Sequence, residues 1–481
     1  MRAALNPPLP AAAFAGLLAF CLPLACGRID SRASVVLITI DTLRADHLGC
    51  YGYSRPTSPH IDRLARQGIL FEKASTSLPR TTQSIASILS GRYPKSHGAR
   101  GLFSSVSQTN VMLAEILKDA GYATAAFVSN VFLQPGQGFE QGFDRYDNPE
   151  GRWDGDSAAE VTSAALLWLE RRPAGKPFFL WVHYLDPHWT YAPGPPFDRA
   201  FDTDFEGPFT LYADLDARRL TKGQVIFENR LAPRQVKHLV ALYDGEIAQV
   251  DAALAPLLET VRAGPRPTLI VLTSDHGESL GEHNYYFAHG EYLYEPGLRI
   301  PLLISWPGRI PSGVSSGALA QNIDIAPTIL GLLGIDRLQS VDGRPLLIPE
   351  RDAAGRESRR FHAAPGRGLV FAESDYQLIH PENRRYYIPG PAGKWSSAAD
   401  GRHKLIHIPT VGGEILELYD LTEDPLERHN RAGAEGDPTT WSRLLRELRQ
   451  FVDYDTGATH REIDRITPEE RQRLRSLGYV N

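Results

Sequence analysis

Two strand-like runs in this chain end in carboxylates. VVLITI, Val35 to Ile40, leads straight into Asp41; TLIVLTSD, from Thr268, ends in Asp275, with His276, Gly277 and Glu278 behind it. Carboxylate oxygens and imidazole nitrogens are ligands for divalent cations. One strand-end aspartate by itself is a turn or helix cap; two, one of them joined to a histidine, point to a metal site. A nucleophile would complete such a site. Ser77 to Gly98, SLPRTTQSIASILSGRYPKSHG, has a hydroxyl-rich, proline-marked entry, an apolar helical run and then Gly91-Arg92. Ser77, Thr81, Thr82 and Ser84 all carry a hydroxyl. At a helix N-terminus, free backbone N–H groups and the helix dipole favour an oxyanion. A bound divalent ion also lowers the pKa of an oxygen it touches. Such a hydroxyl can attack an electrophilic centre and form a covalent intermediate that water hydrolyses. Alternatively, Thr81 is a helix cap with no catalytic part.

Apolar runs alternate with helical periods along the chain. TAAFV before Ser129-Asn130, PFFLWVHYL from Pro177 and IPLLISWP from Ile300 join the two runs above as strands. Pro59–Gly68, Asn110–Gly121, Ser157–Arg171 and Val236–Val261 have helical patterns. This alternation predicts an α/β fold with a mostly parallel sheet covered on both faces. The ligand site of such a fold lies beyond the carboxyl ends of its strands, where Asp41, Asn130, His183 and Asp275 all fall. The polar stretch RDAAGRESRR divides a catalytic domain, 34–350, from a smaller C-terminal α+β domain, 351–481. In the latter KLIHI and ILELYDL are expected as strands, and Leu444–Val452 and Pro468–Leu477 as helices. Trp189–Lys222 has no periodicity and is expected to be a lid or specificity insertion.

A chain of 481 residues, 42% hydrophobic and 22% charged, can bury one large core and a smaller one. Its formal net charge of -6 argues for no nucleic-acid partner. Ala11 to Ala25 is uncharged but interrupted by Pro23 and shorter than the ~20 residues of a membrane span. Residues 1–26 are therefore expected to be an export signal, followed by a spacer, 27–33. Leu24-Ala25-Cys26-Gly27 resembles a lipoprotein processing site. The expected location is exported: periplasmic, or a membrane-tethered lipoprotein of a bacterium that touches the membrane only through an N-terminal lipid on Cys26 or an uncleaved signal. Beyond Cys26 only Cys50 remains, so no internal disulfide forms, and Cys50 is expected to be a buried structural thiol.

Nine blocks, in order, resemble those of the sulfatase family of the alkaline phosphatase superfamily. They are ITIDTLRADHLGCYGY, SPHIDRLARQGILFEKA, SGRYPKSHG, LKDAGYATAAF, VHYLDPHWTY, LTSDHGESLGEH, LRIPLLISWPG, QNIDIAPTILGLLG and ELYDLTEDPLERHN. The resemblance spans nearly the whole mature chain and implies an alkaline-phosphatase-like α/β/α sandwich with a smaller C-terminal sheet domain. It implies a hydrolase of sulfate or phosphate esters, including the phosphodiesterase and phosphonate esterase types. Typical sulfatases attack with a formylglycine made from Cys or Ser in Cys/Ser-x-Pro-x-Arg. Counted from Arg92, that position holds Thr81, whose β-carbon methyl forbids the conversion, and Gln83 and Ile85 stand in place of the proline and arginine. Thr81 is thus implied as a direct nucleophile and formylglycine is not expected. A rival register starts the motif at Ser77-Leu78-Pro79-Arg80.

The implied metal set is Asp41, Thr81, Asp275 and His276, holding one divalent ion: Ca²⁺, Mn²⁺, Zn²⁺ or Mg²⁺. Ordinary sulfatases have a further Asp and an Asn where Thr42 and His276 stand, and exchanging carboxylate for imidazole shifts the preference toward Mn²⁺ or Zn²⁺. His188 and His289 are implied as catalytic and substrate-binding, Asn130 and Arg92 as substrate-binding. His289 and Asn130 replace lysines common in the family, so a doubly charged ester gains less from this site and a monoanionic diester loses less. His183 is expected to be packed or to support the ligands, His283 to be structural or lid-associated, and Arg44 to orient Asp41 or else to form a surface ion pair. A second metal on His183, Asp186, His188 and His289 is the two-metal alternative. The implied partner is a sulfate or phosphate ester, glycan- or lipid-linked. The alternatives to hydrolysis are a phosphoryl-group transferase acting on a glycan or lipid, and a catalytically dead binding protein of sulfatase fold.

Overall fold

The structure, a computed structural model, describes residues 32–101, 104–148, 157–205, 230–335, 340–351, 357–375, 394–410, 412–432 and 438–453. The expected leader, most of the spacer, the C-terminal part of the expected insertion (206–222) and the helix expected at Pro468–Leu477 lie outside those residues.

The strands of the large domain are β1 (Ser34–Ile40), β2 (Ile69–Ser75), β3 (Ala123–Val128), β4 (Arg145–Asp147), β5 (Phe178–Tyr184), β6 (Thr268–Ser274), the short pair β7 (Ser279–Leu280) and β8 (Tyr286–Ala288), β9 (Leu302–Ser305) and β10 (Val314–Gln321). Eight of them form one sheet in the order β10-β2-β9-β6-β1-β5-β3-β4. Neighbours run parallel except β9, which is antiparallel to both β2 and β6. β1 is buried along its whole length because both its faces are covered. Val35 and Leu37 join one core with Ile85, Ile88 and Leu89 of helix Thr81–Ser90 and with helix Ile325–Leu333. Val36, Ile38 and Ile40 join a second core with helices Pro59–Ala65, Ser157–Arg171 and Pro233–Ala263. A residue-by-residue alternation between two cores is what a sheet between two helical layers requires.

The hairpin Leu347–Arg351/Glu357–Ala363 straddles position 350, and its Leu347 and Phe361 pack into the first of those cores. Farther on, an antiparallel sheet of Val370–Glu373, Ser396–Ala399, His403–Thr410 and Gly413–Asp420 carries helix Pro438–Asp453 through Leu405, Leu418, Leu444 and Leu448. Its other face, with Trp395, Ile406 and Tyr419, rests on Leu293 and Leu298 of the large domain.

Candidate active site

Strand register delivers the site. Thr39 of β1 pairs with His183 of β5 and Thr273 of β6, and His183 pairs in turn with Val128 of β3. Four adjacent parallel strands thus end level, and the residues just past them converge: Asp41, Asn130, the Leu185–His188 turn, and Asp275-His276. Thr76 to Arg80 carry the chain from β2 to Thr81, the first residue of helix Thr81–Ser90.

Asp41, Asp275 and His276 are all fully buried, and one ligand atom from each lies within 4.8 Å of the others. His276 Nε2 stands 3.6 Å from Asp41 Oδ1 and 3.4 Å from Asp275 Oδ2. Its Nδ1 lies 2.9 Å from the Gly277 carbonyl, so the N–H belongs there and Nε2 is left as a lone-pair donor. Asp275 Oδ1 accepts from the backbone N–H of His276 (2.8 Å) and of Thr42 (3.3 Å). Thr42 is held at φ 53, costly for a β-branched residue, with its N–H turned to Asp275. Asp41 Oδ1 and Asp275 Oδ2 are buried polar atoms with no hydrogen-bond partner. Two orphaned carboxylate oxygens facing an imidazole lone pair fit a divalent cation.

The Thr81 hydroxyl meets this cluster, 3.4 Å from Asp41 Oδ2 and 3.5 Å from His276 Nε2. Ser77 does not: its hydroxyl reaches Ser87 (3.2 Å) and its backbone N–H reaches Asn322. Ser84 donates to the Asp275 carbonyl at 2.6 Å. Asn130 donates to Asp41 Oδ2 at 2.7 Å while its own Oδ1 accepts from Phe132 N–H. His183 presents Nε2 3.8 Å from Asp41 Oδ2, with Nδ1 on the Thr39 hydroxyl. Arg92 is not brought to the cluster. It follows the far end of the helix that Thr81 begins, a helix of ten residues and about 15 Å, and its guanidinium donates to Asn110.

His289 and His188 form the outer wall. The His289 ring lies 4.3 Å from that of His276 and 5.3 Å from that of His188, centroid to centroid. His289 Nδ1 pairs with Glu278 at 3.0 Å; His188 Nδ1 lies 2.6 Å from the Trp189 carbonyl. Asp186 takes a hydrogen bond from Ser157 and does not join His183, His188 and His289 in a second cluster; among the described residues the group that could hold a metal is Asp41, Asp275 and His276. Arg80, which the sequence offered only as the arginine of the rival Ser77 register, directly precedes Thr81. Its guanidinium lies against Gly290 and between Glu291 (2.8 Å) and Asp375 (3.3 Å), where any Cβ at 290 would collide with it.

The two carboxyls titrate apart. Burial pushes both up. At Asp41 the approach of His183, with His188 and His276 close by, outweighs burial and holds the group below the usual range. At Asp275 burial prevails, the Asp41 charge adds to it, and the group rises to about 6. Arg44 is buried and donates to Asp46 and Glu282, with its Nη1 also on the Glu278 carbonyl.

The family model described as Sulfatase matches residues 33–335. An N-acetylglucosamine-6-O-sulfatase of Bacteroides thetaiotaomicron is 26% identical, covering 93% of this chain and 89% of that protein. An arylsulfatase of Clostridium perfringens is 27% identical over 88% and 92%. Among solved structures, one in complex with its substrate D-glucosamine-2-N,6-O-disulfate superposes with a TM-score of 0.71 at 22% identity, covering 87% of this chain and 97% of the other. The phosphonate monoester hydrolase of Agrobacterium radiobacter superposes with a TM-score of 0.68 at 21% identity, covering 91% and 99%.

Proposed function

The chain belongs to the sulfatase family and is a hydrolase of ester bonds, and from that premise we propose that it cleaves monoanionic esters, carbohydrate sulfates foremost, with unmodified Thr81 as nucleophile. One observation carries this reading. The Thr81 hydroxyl, at the start of a helix, lies within 3.5 Å of Asp41 and His276, beside two carboxylate oxygens that have no partner.

Asp41, Asp275 and His276 would hold a divalent cation, which supplies positive charge that acidifies the Thr81 hydroxyl and offsets charge on the reacting group. Thr81 passes its proton toward Asp41 Oδ2, its acceptor, and Oγ1 bonds to sulfur. The bond from sulfur to the leaving oxygen breaks, and that oxygen takes a proton from His289 or His188. Water then gives a proton back to that imidazole and attacks the sulfur of the threonine ester; the bond from sulfur to Oγ1 breaks, Oγ1 takes back the proton held at Asp41, and sulfate leaves. Asn130 steadies Asp41 through its 2.7 Å hydrogen bond. A sulfate monoester, a phosphonate monoester and a phosphodiester each carry one negative charge, which suits a site with histidine and asparagine in place of lysines. The named sulfated-sugar relative supports a glycan-linked substrate. Export by residues 1–26 belongs to the same proposal and is tested by fractionating cells that produce the full chain.

The deciding experiment compares an aryl sulfate, a phosphonate monoester, a phosphodiester and a phosphate monoester on the full chain with Ca²⁺, Mg²⁺, Mn²⁺ or Zn²⁺ supplied. The singly charged esters are expected to turn over faster than the phosphate monoester. A preference for the phosphate monoester refutes the charge reasoning.

A further inference from the structure

We propose that Glu278 is a positioning residue: its carboxylate locks the His289 ring so that Nε2 alone is offered to the ester. This rests on His289 facing the substrate, as read above. Glu278 is fully buried. A buried carboxylate is costly unless its oxygens are committed to donors, and both are. Oε1 meets His289 Nδ1 at 3.0 Å, and Oε2 accepts from the Tyr191 hydroxyl at 3.2 Å. Its backbone carbonyl takes Arg44 Nη1 at 3.1 Å, which pins the residue from behind.

The geometry has a purpose beyond packing. An imidazole whose torsion about the ring bond is free can offer either edge; a carboxylate on Nδ1 removes that freedom and leaves Nε2 as the outward nitrogen. The ring so held sits between His276 and His188. The second oxygen of Glu278 holds Tyr191, which lies on the same connection as His188, after the strand that ends at Tyr184. One buried side chain therefore touches both the loop that carries His289 and the connection that carries His188. Glu278 governs where the ring points and not its charge.

The test is a double-mutant cycle on the full chain with its divalent ion supplied. It uses two esters of one reacting group: a 4-nitrophenyl ester, whose leaving oxygen needs little help, and an alkyl ester, whose leaving oxygen needs a proton. H289N is expected to slow the alkyl ester about 100-fold and the 4-nitrophenyl ester far less. E278Q is expected to repeat that selectivity at about 10-fold, and to add less than about twofold once His289 is gone. Glu278→Asp, too short to reach Nδ1, should behave like E278Q and serves if E278Q does not fold. If H289N is harmless, the reading of His289 fails and this inference with it. If H289N is damaging while E278Q and Glu278→Asp are harmless, or slow both esters alike with and without His289, Glu278 supports the fold only and the inference alone is overturned.

Discussion

Asp275→Asn should make the ion-free protein more stable and the ion-loaded protein less so. The ligand atoms of Asp41, Asp275 and His276 lie within 4.8 Å of one another. Two unit charges at that separation repel by about 3.5 kcal/mol at an effective dielectric of 20. Burial first, and the Asp41 charge second, raise Asp275 from 3.8 to about 6, equivalent to about 3 kcal/mol. Because the folded value lies above the unfolded one, the stabilising contribution is complete below pH 3.8 and is lost as pH rises through about 6. Under chelation at pH 8 the wild type carries that full cost. The amide variant would carry none, and its side-chain oxygen can still accept from His276 and Thr42 N–H. For a chain of this size about 3 kcal/mol corresponds to a rise of about 3 °C in Tm. Adding a divalent ion at a hundred times its Kd should return about 2.7 kcal/mol to the wild type and little to the variant. Calorimetry at pH 5 and pH 8, with chelator and then with Mn²⁺ or Ca²⁺, reads all four states. A chelated variant less stable than chelated wild type at pH 8, with an undiminished response to ion, would refute the charge-pair reasoning.

Thr81→Ala should cost at least about a thousand-fold in kcat, whereas Ser77→Ala should leave turnover in place; the reverse pattern in a steady-state assay would move the nucleophile to Ser77. Glu246 is pushed well up by burial and by the charge of neighbouring Asp186, while its Oε1 accepts from Ala192 N–H at 2.6 Å. A raised folded value means stability is lost as pH rises above the ordinary value of 4.5, so Glu246→Gln should flatten the fall in Tm on the alkaline side of that value, and an unchanged slope would contradict the assignment. Burial first, and the charge of Asp62 next, raise the Cys50 thiol far above its ordinary range. Reaction with a thiol reagent at pH 8 should therefore be slow in the native protein and rapid in denaturant, and rapid native labelling would count against it.

What could be read from the chain is what local pattern controls. β1, β5 and β6 announce themselves because a strand buried on both faces is apolar throughout, and Asp41 and Asp275 follow two of them directly. Helix Ser157–Arg171 was likewise legible, down to its end at Arg171. β10, VSSGALAQ, was not: it lies at the sheet edge, half exposed, and has no apolar run to mark it. Nor was the reversal of β9, since strand direction depends on which neighbours it pairs with. Arg92 shares a segment with Thr81, yet an intervening helix keeps them apart. Glu278 stands beside His276 in the chain, but its partners His289 and Tyr191 come from other loops. Residue type and periodicity determined Asp41, Asp275 and His276 as candidate ligands, the hydroxyl-rich start of the Thr81 helix and the buried central strands, because these follow from side-chain chemistry and burial a few residues at a time; the choice of Thr81 among the hydroxyls came from the family resemblance. Only the tertiary structure decided which of those groups meet, because that depends on strand register and packing between segments as far apart as Asp41 and Asp275.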